Sequence, residues 1–131
     1  FSFRHFACKC GGANASCARI WVRGDLIRAL EQLRKRVSAY ATHGMAIVSG
    51  CRCPGHNAHV GGASSSQHMF GAAADIQYAV GSGLLARWRL FSGIGRSAAT
   101  HLVRHVDVRH ESGHNPTRGS RAHPTIWNYA R

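Results

Sequence analysis

Ten histidines but only five acidic residues occur in this 131-residue chain, so any acid-base or metal chemistry must be built from very few carboxylates. The most informative stretch is Ser66-x-His68-x-x-Gly71-x-Ala73-x-Asp75. It places a His and an Asp seven residues apart, separated by small residues that let the backbone turn tightly and pack closely. A neutral imidazole and a carboxylate are both zinc ligands, and a catalytic zinc takes three protein ligands and keeps a fourth position for water. The third ligand is sought downstream, in residues 101–109, where Val103, Val106 and Val108 suggest a strand that carries His105 inward. On such a strand residues two apart share a face, so His105, Asp107 and Arg109 lie together. His68, Asp75 and His105 are therefore the expected metal ligands.

Further segments must position these groups. Leu26, Leu30, Leu33 and Val37 recur at helical spacing within residues 23–41, with Asp25 as N-cap and Arg28, Arg34, Lys35 and Arg36 outside, which predicts a core helix. Residues 45–48 read as a short buried strand that delivers residues 49–54 to its end. Residues 54–65 are loop-like by composition, and their two histidines, His56 and His59, are expected to lie on the surface or anchor the loop. Residues 73–80 read as the next strand and 84–90 as a short helix, with Trp88 in the core. The tail from His110 onward reads as a loop closing over the domain, with Trp127 and Tyr129 either lining a cleft edge or plugging the core.

One core is expected for a chain of this length, hence one domain over residues 1–131, with a Cys-containing segment at 1–22 and a tail at 110–131. No apolar run approaches the ~20 residues of a membrane span. The opening Phe1-Ser2-Phe3-Arg4-His5 is not a signal peptide, and the lack of an initiator Met suggests a processed product or an excised domain. The formal charge of +12 suits a polyanionic partner, nucleic acid or anionic cell-wall polymer. No RNA-recognition strand and no Cys₂His₂ spacing speaks for nucleic acid, and a bias toward Arg in the genome explains the charge equally well. Cys8, Cys10, Cys17, Cys51 and Cys53 suggest, in an exported protein, up to two disulfides and one leftover thiol that tie the N-terminal segment to the loop at Arg52. The alternative is a structural zinc site, against which stands the single-residue spacing of both Cys-x-Cys pairs.

The chain resembles the D-Ala-D-Ala metallopeptidase family of zinc peptidases, which shares a core with VanX-type dipeptidases, phage L-alanyl-D-glutamate endopeptidases, lysostaphin-like enzymes and the hedgehog signalling domain. The motif of residues 66–75 carries the likeness, together with Phe6-x-Cys8-x-Cys10, Ser49-Gly50-x-Arg52, the segment from His56 to Ala63, Phe91-Ser92-Gly93-Ile94-Gly95 and His105-x-Asp107-x-Arg109. The resemblance implies a small α+β domain with an antiparallel sheet and helices packed on one face. It also implies one Zn²⁺ that activates water for attack on a peptide carbonyl, with the Arg52 guanidinium facing the metal and Arg52 and Ser66 binding substrate. His56 and His59 are not ligands in that family.

The implied substrates are peptidoglycan stem or cross-link peptides, cut by a D-Ala-D-Ala carboxypeptidase or endopeptidase that acts as a monomer outside the cytoplasm, secreted, periplasmic or delivered by phage as an endolysin. Part of the family places a Glu or Asp three residues before the last His, and Leu102 stands there here. The general base is therefore expected to be Asp107, with Glu111 and His101 in reserve, or Asp107 instead orients a ligand histidine. Without that upstream carboxylate, a non-catalytic zinc-containing cell-wall-binding module is the competing class.

Overall fold

The stripe of Leu26, Leu30, Leu33 and Val37 forms one side of helix α1, Gly24–Ser38, and all four side chains are buried. Arg23 grips the start of the helix, donating to both oxygens of Asp25 at 3.0 and 2.9 Å while Asp25 accepts the Leu26 amide at 3.0 Å. That guanidinium holds the Asp25 carboxyl below its usual range against the opposing effect of burial. The computed structural model describes residues 2–15, 17–38, 45–77, 80–112 and 119–129. The last residues expected in this helix, 39–41, lie outside them.

After α1 the chain forms β1 (Ala46–Ser49), α2 (Pro54–His59), β2 (Ala73–Gln77), α3 (Ser82–Arg87), β3 (Gly93–Ser97), β4 (Val103–Asp107), α4 (Arg109–Ser112) and β5 (Thr125–Tyr129). The five strands make one sheet in the order β1-β2-β4-β3-β5. β1, β2, β4 and β3 pair antiparallel, but β5 runs parallel to β3. The sheet is thus mixed rather than antiparallel throughout, because the connection from β4 passes over β3 and β5 starts beside Gly93, at the end where β3 begins and β4 finishes. The fold is α+β. α1 and α3 cover one face, where Leu30, Leu33 and Leu85 pack with Ile76, Ile94, Val106 and Phe91. The alternate residues of the same strands point to the opposite face, which carries Asp75, His105 and Asp107.

Several local expectations change. β1 is an edge strand whose residues alternate between exposed and half-buried rather than a buried one, and a bulge at Val48 interrupts its register with β2. Residues 54–59 of the expected loop are helical, because Cys53 caps the turn by accepting the His56 amide and Pro54 takes the first helical position, where its missing N–H costs nothing. The tail supplies α4 and β5 instead of a plain loop, and residues 113–118 lie outside the described part, as do Tyr78 and Ala79 of the expected second strand. α3 begins and ends earlier than expected, and Trp88, half-buried, packs against the core beneath the Arg36 guanidinium, 5.4 Å from its ring centroid. No described helix is long and apolar enough to cross a membrane.

The structure holds none of the expected disulfides, and all five cysteines are free in it. The sulfurs of Cys8, Cys10, Cys17 and Cys53 lie within 4.8 Å of one another, a four-way convergence instead of two pairs. Cys51 stands apart, its thiol donating to the Phe6 carbonyl at 2.8 Å.

Candidate metal centre

Three elements bring the expected ligands to one point. Asp75 on β2 lies directly opposite His105 on β4, and cross-strand neighbours of an antiparallel pair have Cβ atoms about 5 Å apart. His68 comes from the 3₁₀ turn Gln67–Phe70 just before β2. Ser66 opens that turn by accepting the His68 amide, and Gly71 closes it at φ 65°, a left-handed conformation that favours glycine. A side chain at 71 would also press on the Trp21 carbonyl, 2.9 Å from where its Cβ would sit. The spacing of the motif thus reflects a turn that folds His68 back over the strand of Asp75.

The facing atoms are His68 Nε2, Asp75 Oδ1 and His105 Nδ1, separated pairwise by 3.2, 3.1 and 3.2 Å. Tetrahedral zinc with ligands at about 2.0–2.1 Å separates neighbouring donor atoms by roughly 3.3 Å, so this triangle fits the ion. The far side of each ring agrees. His68 Nδ1 lies 2.6 Å from the Gly50 carbonyl, an obligate acceptor, and His105 Nε2 lies 2.9 Å from Asp107 Oδ2. In its neutral form each ring therefore carries its proton on the outer nitrogen and presents a lone pair to the centre.

Asp107 does not face the cleft. It is fully buried, with Oδ2 engaged by His105 and by Arg109 Nη2 at 2.8 Å, and Oδ1 by Arg109 Nε at 2.9 Å and the Arg109 amide at 3.1 Å. The general-base position expected for it is thus not the one it occupies, because the strand puts the imidazole of His105 between Asp107 and the triangle. The two reserves are also elsewhere. His101 is exposed, and Glu111 is taken up by Arg121 and by Ser92, whose Oγ donates at 3.4 Å. Neither lines the cleft.

Glycines on β3 make room for this arrangement. Gly93 lies opposite Asp107 and Gly95 opposite His105. A methyl group at 93 would overlap the Asp107 carboxylate, and one at 95 would meet the Tyr129 ring at 2.6 Å and the Trp127 ring at 3.0 Å. Gly93→Ala should destabilise the fold by about 1–3 kcal/mol through overpacking and weaken zinc binding with it. Denaturant unfolding paired with zinc titration measures both, and an alanine variant with unchanged midpoint and affinity would refute this account of Gly93.

The triangle opens onto a cleft of about 1010 Å³ whose lining includes Arg52, Ser66, Arg104, Arg109, Trp127 and Tyr129. Trp127 and Tyr129 thus line the cleft, the first of the two places open to them. Arg52 points its Nη2 toward Asp75 Oδ2 at 3.9 Å while Nη1 donates to Asn57 Oδ1 at 2.9 Å. Asn57 escaped the sequence reading. It is buried in α2, also donates to the Ala63 carbonyl at 2.8 Å, and so holds both Arg52 and the glycine loop; an Asn inside a segment of loop-like composition carries no signal of this. A bulge in β4 leaves Arg104 without a partner on β3 and brings it to the cleft beside His105. His56 and His59 stack at 6.4 Å in a separate cavity of about 390 Å³ that also contains Cys10.

Burial works to raise the Asp75 pKa, but the two imidazoles outweigh it and hold the carboxyl well below its usual range. For His105 burial works downward, yet Asp107 and Asp75 on either side raise it from 6.5 to about 9. In chelator-treated protein the stabilising contribution of the charged His105 is therefore complete below about 6.5 and lost as pH rises through about 9. Zinc must displace that proton. Zinc affinity should consequently keep rising with pH up to about 9, with proton release on binding at neutral pH. Calorimetry in buffers of different ionisation enthalpy tests this; affinity that levels off near 6.5 would show that the carboxylates do not hold the proton.

No curated protein matches the chain. The model of one family, Peptidase M15, matches residues 1–107, the portion that contains His68, Asp75, His105, Asp107 and every strand but β5. With that match over most of its length, and with a ligand triangle suited to a metallopeptidase, the chain belongs to the Peptidase M15 family.

Proposed function

We propose that the protein is a zinc-dependent peptidase that hydrolyses stem or cross-link peptide bonds of peptidoglycan, of the D-Ala-D-Ala carboxypeptidase or endopeptidase type, working as a monomer outside the cytoplasm. The observation that carries the reading is the triangle of His68 Nε2, Asp75 Oδ1 and His105 Nδ1 at the base of an open cleft. Bound there, zinc supplies a Lewis acid and lowers the pKa of a bound water from about 15.7 to about 7.

The chain's own residues do the rest. His68 and His105 are aimed by Gly50 and Asp107. Arg52, pre-set by Asn57, offers a fixed positive charge to a substrate carboxylate or to the oxyanion that develops at the scissile carbonyl. Ser66 lines the cleft next to His68 and offers its hydroxyl to substrate. Trp127 and Tyr129 wall one side and limit water access. Asp107 is a positioning residue here. Among the five acidic residues only Asp75 lines the cleft, so its outer oxygen, Oδ2, is the acceptor left for the water proton.

Arg52, Arg104 and Arg109 make the cleft cationic, which suits the carboxylates of stem peptides and, along the surface, an anionic wall polymer. The weak basicity of Asp75 favours a second reading, a wall-binding module that keeps zinc without turnover. Incubating zinc-loaded protein with purified muropeptides and identifying products by mass spectrometry separates the two. Free D-Ala identifies a carboxypeptidase and split cross-links an endopeptidase. Retention of intact muropeptides without new termini would establish the binding module instead.

A further inference from the structure

Four cysteines that take no part in the cleft converge on one point. Cys8 and Cys10 come from the N-terminal segment, Cys17 from the stretch before α1, and Cys53 from the loop that carries Arg52, and their sulfurs all lie within 4.8 Å of one another. Two disulfides would need two pairs of sulfurs at about 2.05 Å. A tetrahedral tetrathiolate with metal-sulfur bonds of about 2.3 Å places its sulfurs roughly 3.8 Å apart along every edge, the pattern of a four-way cluster. We propose that Cys8, Cys10, Cys17 and Cys53 form a second, structural zinc site that ties the N-terminal segment to the Arg52 loop.

Hydrogen bonds distinguish these sulfurs from the fifth. Cys8 Sγ accepts the Cys53 amide at 3.2 Å, and Cys17 Sγ accepts the Arg19 amide at 3.3 Å. Cys53 Sγ accepts the His56 amide at 3.4 Å and the Asn14 side-chain amide at 3.3 Å. Sulfur that accepts from N–H groups is what a metal-bound thiolate offers, and such outer partners orient the ligand. Cys51 does the reverse. Its thiol donates to the Phe6 and Arg19 carbonyls at 2.8 and 3.4 Å, which requires the proton and leaves it outside the set.

The short Cys8-Lys9-Cys10 spacing is accommodated because the chain reverses at once after Cys10. Gly11 and Gly12 both take positive φ, 63° and 89°, and the Ala13 amide returns to the Cys10 carbonyl at 3.0 Å. The Cys8 amide meanwhile donates to the Arg19 carbonyl at 2.7 Å, so the two halves of the segment already lie side by side around the sulfurs. Four thiolates and no other ligand type select a soft, tetrahedral ion, zinc or iron; a site that staples three pieces of backbone suits redox-inert zinc. Its consequence reaches the cleft: Cys53 caps α2, and Arg52 is flanked by Cys53 and Cys51.

The assignment does not depend on peptidase activity, and its test keeps the two apart. Metal analysis of protein purified under reducing conditions should find two zinc ions per chain. In a His68→Ala/Asp75→Ala double variant, whose cysteine cluster is intact, one zinc should remain and be released by a mercurial thiol reagent. Cobalt in that variant should give intense visible bands with thiolate charge transfer in the near ultraviolet. Cys10→Ser and Cys17→Ser should each lower the wild-type count by one. A double variant without zinc and without a cobalt-thiolate spectrum would overturn the proposal, as would iron held by the cluster, or an intact mass showing two disulfides in the protein as isolated.

Discussion

Replacing His68, Asp75 or His105 by alanine should abolish zinc retention at the cleft and reduce muropeptide hydrolysis to background, whereas His56→Ala and His59→Ala should leave both unchanged. The three ligand atoms form a triangle with edges of 3.1 to 3.2 Å, so losing one leaves two donors where a catalytic zinc needs three. The loss should exceed the 10–100-fold typical when only an outer hydrogen-bond partner is removed. Stability should respond in parallel. Wild-type thermal unfolding should shift upward as zinc rises above its dissociation constant, by mass action, and the contribution of the cleft should vanish in each alanine variant. Zinc content, melting temperature against zinc concentration, and product formation together decide the point. A His105→Ala enzyme that still turns over at the wild-type rate would remove the triangle from the mechanism.

Asp107 should have the second largest effect, and through position rather than proton transfer. Its carboxylate is fully buried between His105 and Arg109. Burial pushes its pKa up, but the His105 and Arg109 partners outweigh this and hold it at about 2, so it is ionised throughout the working range. Asp107→Asn keeps the shape but offers His105 a weaker acceptor, and should cost about 10–100-fold in zinc affinity and in turnover at limiting zinc. Asp107→Ala also strips Arg109 of its partner and should destabilise the fold by about 3 kcal/mol, the lower end for breaking a buried pair, because Arg109 reaches the cleft. The decisive readout is whether saturating zinc restores the Asn variant. Restoration supports positioning; a defect in kcat that persists at full zinc occupancy, with an altered acid limb of the pH profile, would return Asp107 to the role of base.

Much of this molecule was legible in one dimension. Helix α1 announced itself through Leu26, Leu30, Leu33 and Val37, since a 3.6-residue period survives whatever the helix packs against. His68, Asp75 and His105 stood out because the motif around the first two is specific and Val106 and Val108 alternate with Asp107 beside the third, and the structure brings the three together at one point. Edges and pairings were not legible. Whether residues 46–49 sit at the centre or the edge of a sheet, and whether β5 runs parallel or antiparallel, depends on which strands arrive beside them, and no local residue pattern encodes that. Residues 54–59 look like a loop because Gly, Asn and His are poor helix formers, yet Pro54 at the first position and the Cys53 cap start a helix there.

The same division runs through the site. Residue types and spacing alone pointed to a metal-binding chemistry and to three candidate ligands, and fixed the scarcity of carboxylates that any mechanism must respect. Which way Asp107 faces, what Arg52 leans on, and which four of five cysteines meet were decided only by the tertiary structure. Each depends on distances between segments far apart in the chain: β3 glycines opposite Asp107, Asn57 beneath Arg52, and a backbone reversal at Gly11 and Gly12 that carries Cys10 toward Cys53. Side chains are chemically specified by sequence, but the partner that each one meets is set by packing, and it is the partner that determines whether a carboxylate acts on water, a histidine or an arginine.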